Sequence, residues 1–315
     1  MRIVTYDNSA LVAEAQCGLQ AWLRYSQHRT TTKAKLAADA GTAFHLAAEA
    51  AFKGDPPQLA LSKAMDYYNA LDLVGAKDRL SSSNVQRVIA AWLSRHPIRD
   101  GFLWTIDANT NSWRGLFRVH PELTEVAFQL PLGVIPCPQG CQERAPEGSP
   151  ECQLCKGELI IAIHITGRLD AIVTMDGRPW VLDHKTTGKW DAHWLAQFRA
   201  SSQISTYSWA AQQHLGSEIA GALINAVSMN EMNTSGARCS KHKMPYADCA
   251  SMPEHFKTQL IMAERTQEEL ELWHRDALAL AERSLKRLAN FPILNEHALR
   301  SIRAQGSFTG ACDWC

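Results

Sequence analysis

The tightest constraint on this chain is a dipeptide, Asp176-Gly177, set between two apolar runs. Ile160 to Thr174 is dense in β-branched and apolar residues and reads as one strand; Pro179 to Lys185 reads as the next. Asp-Gly tolerates the positive φ angles of a two-residue primed turn, so the pair predicts a β-hairpin. With those two residues as the loop, Met175 pairs with Arg178, and counting outward puts Asp170 opposite Asp183. Facing residues sit roughly 4.5–5.5 Å apart at Cβ. Two carboxylates that close, on otherwise apolar strands, repel each other. Lys185 lies two residues beyond Asp183, projects from the same face and compensates in part. A divalent cation compensates better, and oxygen ligands on rigid strands suit magnesium or manganese. The plainer alternative is a solvated charge triplet on a surface hairpin, because Asp-x-Lys alone is a weak signal.

Charge limits how such a site meets a polyanion. Lysine plus arginine total 32, matching 32 aspartate plus glutamate. A protein that coats DNA is basic overall, so any nucleic-acid contact here comes from local patches. With 315 residues and 46% hydrophobic content, the chain can build one elaborated domain or two small ones. The first residues lack a charged-then-apolar signal pattern, and no apolar run approaches about 18 residues. A soluble cytoplasmic protein is the expectation, and nine cysteines in that compartment point to metals before disulfides.

Helical spacing runs from Ser9 to Arg29, with Leu11, Ala15, Leu19, Trp22 and Leu23 on or near one face. An alanine-rich helix is expected from about Lys33 to Lys53, carrying His45 and, one turn on, Glu49. By itself His45 reads as a hydrogen-bonded core histidine. Gly54 to Pro57 breaks that helix, and two structural helices follow near Gln58–Leu71 and Ser83–His96. Strands are expected around Trp104 and Trp113 and over Leu123–Leu132, the last including Glu125. Beyond the hairpin, Trp190–Leu215 reads as one helix with Gln203 and Tyr207 on a shared face. Ile219–Met229 then reads as a buried strand, giving a strand–helix–strand unit and a partly parallel sheet. Phe256–Met262 reads as an edge strand, and Thr266–Asn290 as a long amphipathic helix with a solvated charged face.

Four pieces of this pattern resemble the PD-(D/E)XK nuclease superfamily and, within it, the RecB-like exonuclease branch that includes the RecB and AddB nuclease domains. They are Gly41-Thr42-Ala43-Phe44-His45, Gly167-Arg168-Leu169-Asp170, Asp183-His184-Lys185 and Gln203-x3-Tyr207, in that order. Asp183 stands where glutamate is common in the branch. The resemblance implies an α/β, restriction-endonuclease-like core: a central mixed β-sheet flanked by helices, with a helical N-terminal region, forming a single domain over 1–315. It implies that His45, Asp170, Asp183 and the backbone carbonyl of His184 hold Mg²⁺ or Mn²⁺. It makes Lys185 the residue that orients the attacking water, and has Gln203 and Tyr207 position substrate. Glu125 resembles a glutamate at this place in such enzymes and would add a metal or water contact; an ordinary strand-edge glutamate is the alternative.

Two polar insertions carry cysteine. Residues 136–157 hold Cys137-x3-Cys141-x10-Cys152-x2-Cys155, two knuckles on a hairpin tip that fit tetrahedral zinc. Such a site would stiffen the tip and guide DNA. Residues 231–255 hold Cys239, His242 and Cys249, with His255 the nearest fourth donor; a basic loop over DNA is the alternative. Many RecB-like relatives bind an iron–sulfur cluster through one cysteine near the N-terminus and three near the C-terminus. Cys17, Cys312 and Cys315 resemble three of those ligands. A cluster normally takes four thiolates, so an unusual fourth ligand, a shortened chain or a lost cluster all remain open.

The expected function is a metal-dependent DNA exonuclease or end-processing nuclease, acting on DNA ends or single strands in phage or mobile-element recombination or repair, with a helicase or recombination protein as partner. A catalytically silent DNA-binding or assembly module is the alternative from another class, separated by a metal-dependence assay. A restriction-type endonuclease is the other alternative, separated by circular against linear substrate.

Overall fold

A computed structural model describes residues 1–21, 24–25, 36–71, 73, 80–106, 112–141, 152, 154–229, 243–244 and 257–290. In chain order the elements are β1 (Arg2–Tyr6), α1 (Asn8–Gln16), α2 (Gly18–Ala21), α3 (Leu36–Phe52), α4 (Pro57–Asn69), α5 (Ser82–Arg95), β2 (Ile98–Arg99) and β3 (Phe102–Ile106). They continue with β4 (Trp113–Pro136), β5 (Ile160–Met175), β6 (Arg178–Thr187), α6 (Ala192–Ala196), a 3-10 turn (Gln197–Ala200), α7 (Ser202–Leu215), β7 (Gly221–Ser228), β8 (Thr258–Glu264) and α8 (Gln267–Asn290). Strand order is β2-β3-β4-β5-β6-β7-β8, with β1 against β5. The β1–β5 and β6–β7 pairs are parallel, while β2–β3, β3–β4, β5–β6 and β7–β8 are antiparallel, so this is the expected mixed sheet.

The chain divides into two compact units. The larger comprises residues 33–126 and 169–265. Its β5–β6 hairpin closes on Asp176 (φ 52°) and Gly177 (φ 74°), the two positive φ angles of a type I′ turn. The ladder runs from Met175↔Arg178 to Ala171↔Leu182, the register read from the sequence. β6 then pairs in parallel with β7, all of whose residues are buried, and α7 is the crossover between them. Helix α3 packs its small residues inward: Ala40, Ala43, Ala47 and Ala48 are fully buried beside Phe44. Gly41 faces β6 closely: a Cβ there would lie 3.2 Å from the Thr186 hydroxyl, tighter than ordinary van der Waals contact. Trp92 of α5 closes the core edge-on to Phe44, ring centroids 5.1 Å apart.

The smaller unit comprises residues 1–32, 127–168 and 266–315. The expected helix over Ser9–Arg29 is preceded by a strand, β1, and interrupted at Cys17, which is extended (φ −156°, ψ 108°). Asp7 caps α1 by accepting from the Ala10 N–H at 2.7 Å. The interruption has a tertiary cause. Glu14 is buried and meets Arg287 at 3.0 Å and Arg283 at 3.5 Å, and a Cβ at Gly18 would collide with the Arg287 guanidinium. Leu11 is buried as expected, but Ala15 is exposed. Helix α8 opens with a reciprocal capping box: Thr266 Oγ1 accepts from the Glu269 N–H at 3.2 Å, and Glu269 accepts from the Thr266 N–H at 2.8 Å.

Candidate metal-dependent active site

In the larger unit, β5 delivers Asp170 and β6 delivers Asp183 and Lys185 to one place. The hairpin ladder leads directly to them, and the His184 backbone N–H donates to Asp170 Oδ2 at 2.7 Å. Lys185 Nζ sits 2.9 Å and 2.8 Å from the two oxygens of Asp183. From α3, His45 Nδ1 approaches Asp170 Oδ1 at 3.2 Å. Ligand atoms of His45, Glu125 and Asp170 all lie within 4.8 Å of one another. Asp183 falls outside that set of three; its closest partner is Lys185. An imidazole nitrogen and two carboxylates at this spacing are the donor chemistry of a divalent cation that accepts oxygen and nitrogen ligands.

Electrostatics separates the two aspartates. Burial pushes the Asp170 carboxyl up, but the hydrogen bond and charge of His45, followed by His184, bring it down to about 2. Burial also pushes Asp183 up, and there it prevails over Lys185 with the help of Asp170's like charge, leaving Asp183 raised. Burial opposes charge on Lys185 and His45 too. The carboxylates beside them overcome it, and both are held above their ordinary values. This is the pattern expected where one buried site carries more acid than it can ionise without a cation.

The His184 side chain has partners of its own, although its ring lies 5.8 Å from that of His45. It is buried in an aromatic cage of Phe44, Phe52 and Trp92, with ring centroids 5.5–5.7 Å away. Asn225 Nδ2 donates to its Nδ1 at 2.7 Å, which fixes the neutral tautomer with the proton on Nε2. Burial lowers its pKa to about 3. His184 therefore reaches the site through its backbone, and its ring anchors β6 to α3 and α5.

Gln203 and Tyr207 lie on α7, and Gln203 Nε2 donates to the Tyr207 oxygen at 2.9 Å. Burial first, then the charge of Asp183, raises the Tyr207 pKa, so the phenol keeps its proton. The helix expected over Trp190–Leu215 is interrupted at Ser201, which is extended (φ −73°, ψ 123°). Arg265 holds the break, donating to the Ser201 carbonyl at 3.3 Å and to the Ser205 hydroxyl at 3.0 Å. The Ser201-Ser202 pair is the sequence signal for a helix start here. Glu49 pairs with Lys53 at 2.5 Å, an i,i+4 surface contact. Glu125 is the residue that strand reading undervalued. It sits inside β4 at φ 57°, a conformation no alternation pattern reveals.

In the smaller unit, Cys137, Cys141, Cys152 and Cys155 bring their sulfurs within 4.8 Å of one another, which fits a zinc knuckle. Positive φ at Gly140, Lys156 and Gly157 turns the two knuckles, and the Cys137 N–H donates to the Leu159 carbonyl at 2.8 Å across the tip. Burial pushes the Cys152 thiol up, but backbone N–H groups of Cys155 and Leu154 and the neighbouring thiols bring it down to about 7. Shared hydrogen bonds with Cys137 and Cys152 push Cys141 up to about 12. Thiols gathered this closely are a set that a cation would deprotonate. Cys17 is buried as the C-cap of α1. Cys312 and Cys315, and the Cys239, His242 and Cys249 group with His255, lie outside the described residues. No helix among the described residues is long and apolar enough to cross a membrane.

A mixed sheet flanked by helices, with acids and a lysine gathered where a hairpin meets a packed helix, is consistent with the core of a nuclease of the restriction-endonuclease-like class. The chain belongs to the PD-(D/E)XK nuclease superfamily, whose family model matches residues 8–315. Members of that superfamily are generally phosphodiester-cleaving nucleases that use divalent metals. The comparison with curated proteins gave no match.

Proposed function

We propose that the chain is a Mg²⁺- or Mn²⁺-dependent deoxyribonuclease of the RecB-like branch. It would act on DNA ends or single strands as an exonuclease or end-processing enzyme, inside the cell, in phage or mobile-element recombination or repair. The observation that carries this reading is the convergence of His45, Glu125 and Asp170 within 4.8 Å, beside a buried Asp183–Lys185 pair. The order of the Gly41–His45, Asp170, Asp183–Lys185 and Gln203–Tyr207 motifs supports the branch. In this reading residues 1–315 are one elaborated nuclease domain, zinc occupies the four-cysteine tip, and Cys17 with Cys312 and Cys315 belongs to an iron–sulfur centre.

The proposed ligands are His45, Asp170, Asp183 and the His184 carbonyl, with Glu125 added from β4. A divalent cation bound there supplies Lewis acidity toward the scissile phosphate and a lowered pKa for the attacking water. Lys185 keeps its proton beside Asp183 and presents positive charge where negative charge develops on phosphorus. Gln203 fixes the Tyr207 hydroxyl, which remains a donor toward a phosphate oxygen.

The test is cleavage of labelled linear and circular DNA with and without added Mg²⁺ or Mn²⁺. Metal-dependent shortening of linear DNA, with circular DNA spared, is the expected result. Cutting of circular DNA would replace the exonuclease by an endonuclease, and no cleavage under any metal would leave a binding module.

A further inference from the structure

The segment leaving the C-terminal end of β6 carries an aromatic pair that the chemistry above does not use: Trp190 and Trp194. Their rings stack with centroids 6.2 Å apart and an interplanar angle of 29°. Trp194 is in turn braced edge-on by the buried Phe198 at 5.0 Å. Both tryptophans are only partly buried. The pair is held by local structure. Thr187 Oγ1 donates to the Lys189 carbonyl at 2.7 Å and accepts from the Lys189 N–H at 2.9 Å, which locks the exit from β6. Asp191 accepts from the Trp194 N–H at 2.8 Å and is thereby committed to the backbone. Exposed Lys189 and Arg199 lie on either side of the pair in sequence, against the single carboxylate of Asp191, so the segment carries two cations and one anion.

We propose that Trp190 and Trp194 form a base-stacking platform that receives single-stranded DNA on its way to the carboxylate site, so that unpaired strands are selected over duplex. Trp190 is five residues beyond Lys185 along the chain, at most ~17 Å away, which is about five stacked nucleotides or fewer. Every base has a π face, so stacking is indifferent to sequence, as an enzyme that digests whatever strand it meets requires. In duplex those faces are already stacked on one another and are withheld from the protein. Stacking also answers the charge problem: a chain without excess positive charge cannot rely on phosphate neutralisation alone for affinity. The two flanking cations give the strand a backbone contact and the tryptophans supply the discrimination. This inference rests on the nuclease reading, and it specifies the substrate of that site.

The experiment uses the full chain without added Mg²⁺ or Mn²⁺ and without a chelator that would strip the cysteine tip, so that cleavage is not needed for the readout. Fluorescence anisotropy follows binding of a labelled oligo-dT and of a labelled blunt duplex to the unaltered chain, Trp190→Ala, Trp190→Phe and Trp194→Ala. The alanine changes should weaken oligo-dT binding about tenfold and Trp190→Phe by much less, with duplex binding unmoved. The ring contact to the buried Phe198 is made by Trp194, so Trp190→Ala carries the test if Trp194→Ala fails to fold. Unchanged oligo-dT binding in Trp190→Ala, or equal loss on duplex, overturns the platform. Failure of the nuclease reading is seen separately: full cleavage by Lys185→Ala would remove the catalytic assignment and leave the binding result standing.

Discussion

The two clusters of metal-type donors among the described residues are built in opposite ways. His45, Glu125, Asp170 and Asp183 come from four elements spread over 139 residues of sequence, counted from 45 to 183 inclusive, and meet only because the sheet and α3 bring them together. The four cysteines fall within the 19 residues from 137 to 155 inclusive and meet through the tight turns of one hairpin tip. In the first cluster the backbone and neighbouring side chains already hold the acids: Asp170 takes the His184 N–H and His45, and Asp183 takes Lys185. In the second, the sulfurs have one another, the Gln139 side chain and the backbone N–H groups of their own tight turns, with no oppositely charged partner beside them among the described residues. The lesson is that the carboxylate cluster is a product of folding, whereas an ion would do much of the work of ordering the thiol cluster.

The largest expected effect tests the division of labour inside the first cluster. Asp170→Ala should lose both metal binding and cleavage. Lys185→Ala should keep Mn²⁺ binding, measured by calorimetry, while cleavage falls by about 10²–10³, the usual cost of removing one charge-stabilising donor. Equal loss of metal in both variants would show that Lys185 holds the acids in place and has no separate catalytic part. Next, Cys152→Ala should release zinc completely by elemental analysis yet leave Mn²⁺ affinity at the carboxylates unchanged. Deleting the tip should then impair DNA affinity more than it impairs metal binding; matched loss of both would erase the distinction between a fold-built and an ion-built site.

Acid sharpens the same contrast. Asp170 stays ionised down to about 2, whereas Cys152 titrates near about 7 without an ion. Protons compete with zinc for thiolates, so lowering the pH should strip the tip before it neutralises Asp170; a zinc-binding dye would follow the release. The larger unit has its own acid weakness in His96, whose pKa burial, aided by Arg95, lowers to about 4. The folded state keeps His96 neutral, while the unfolded chain takes up a proton below about 6.5. Stability is therefore intact above that value and is lost as pH falls toward 4, by roughly 3 kcal/mol in all. Replacing His96 with Gln should reduce the slope of urea-melt stability across that window, leaving the part carried by His184, whose pKa burial lowers to about 3; an unchanged slope would mean His96 carries none of it.

How far each cluster could be read beforehand follows from its construction. The cysteines needed only spacing. The hairpin needed only Asp176-Gly177, because turn chemistry fixes register and register fixes which residues face each other. Gly41 gains its meaning only from the approach of Thr186, which is a fact of packing. The break at Cys17 was hidden for a similar reason: Arg287, distant in sequence, pairs with Glu14 and fills the space beside Gly18. At Ser201 the serine pair did signal a helix start, and only the brace from Arg265 was out of reach of the sequence. Local rules thus recovered what local forces decide.

Glu125 is the position where that limit can be measured. It brings its carboxylate into the set with His45 and Asp170 while its own backbone stands at φ 57°, where a residue with a Cβ is strained by about 1 kcal/mol or more. Glu125→Gln removes the charge and keeps the strain. Glu125→Gly removes both. Each should weaken Mn²⁺ binding to a similar degree, because each lacks the carboxylate. Only the glycine should also gain stability, by about 1 kcal/mol relative to the glutamine, since glycine accepts positive φ without penalty. Thermal melts of the two variants without metal make the comparison. If glutamine and glycine melt together, the backbone at 125 is not strained, and nothing in the fold is being spent to hold that carboxylate in place.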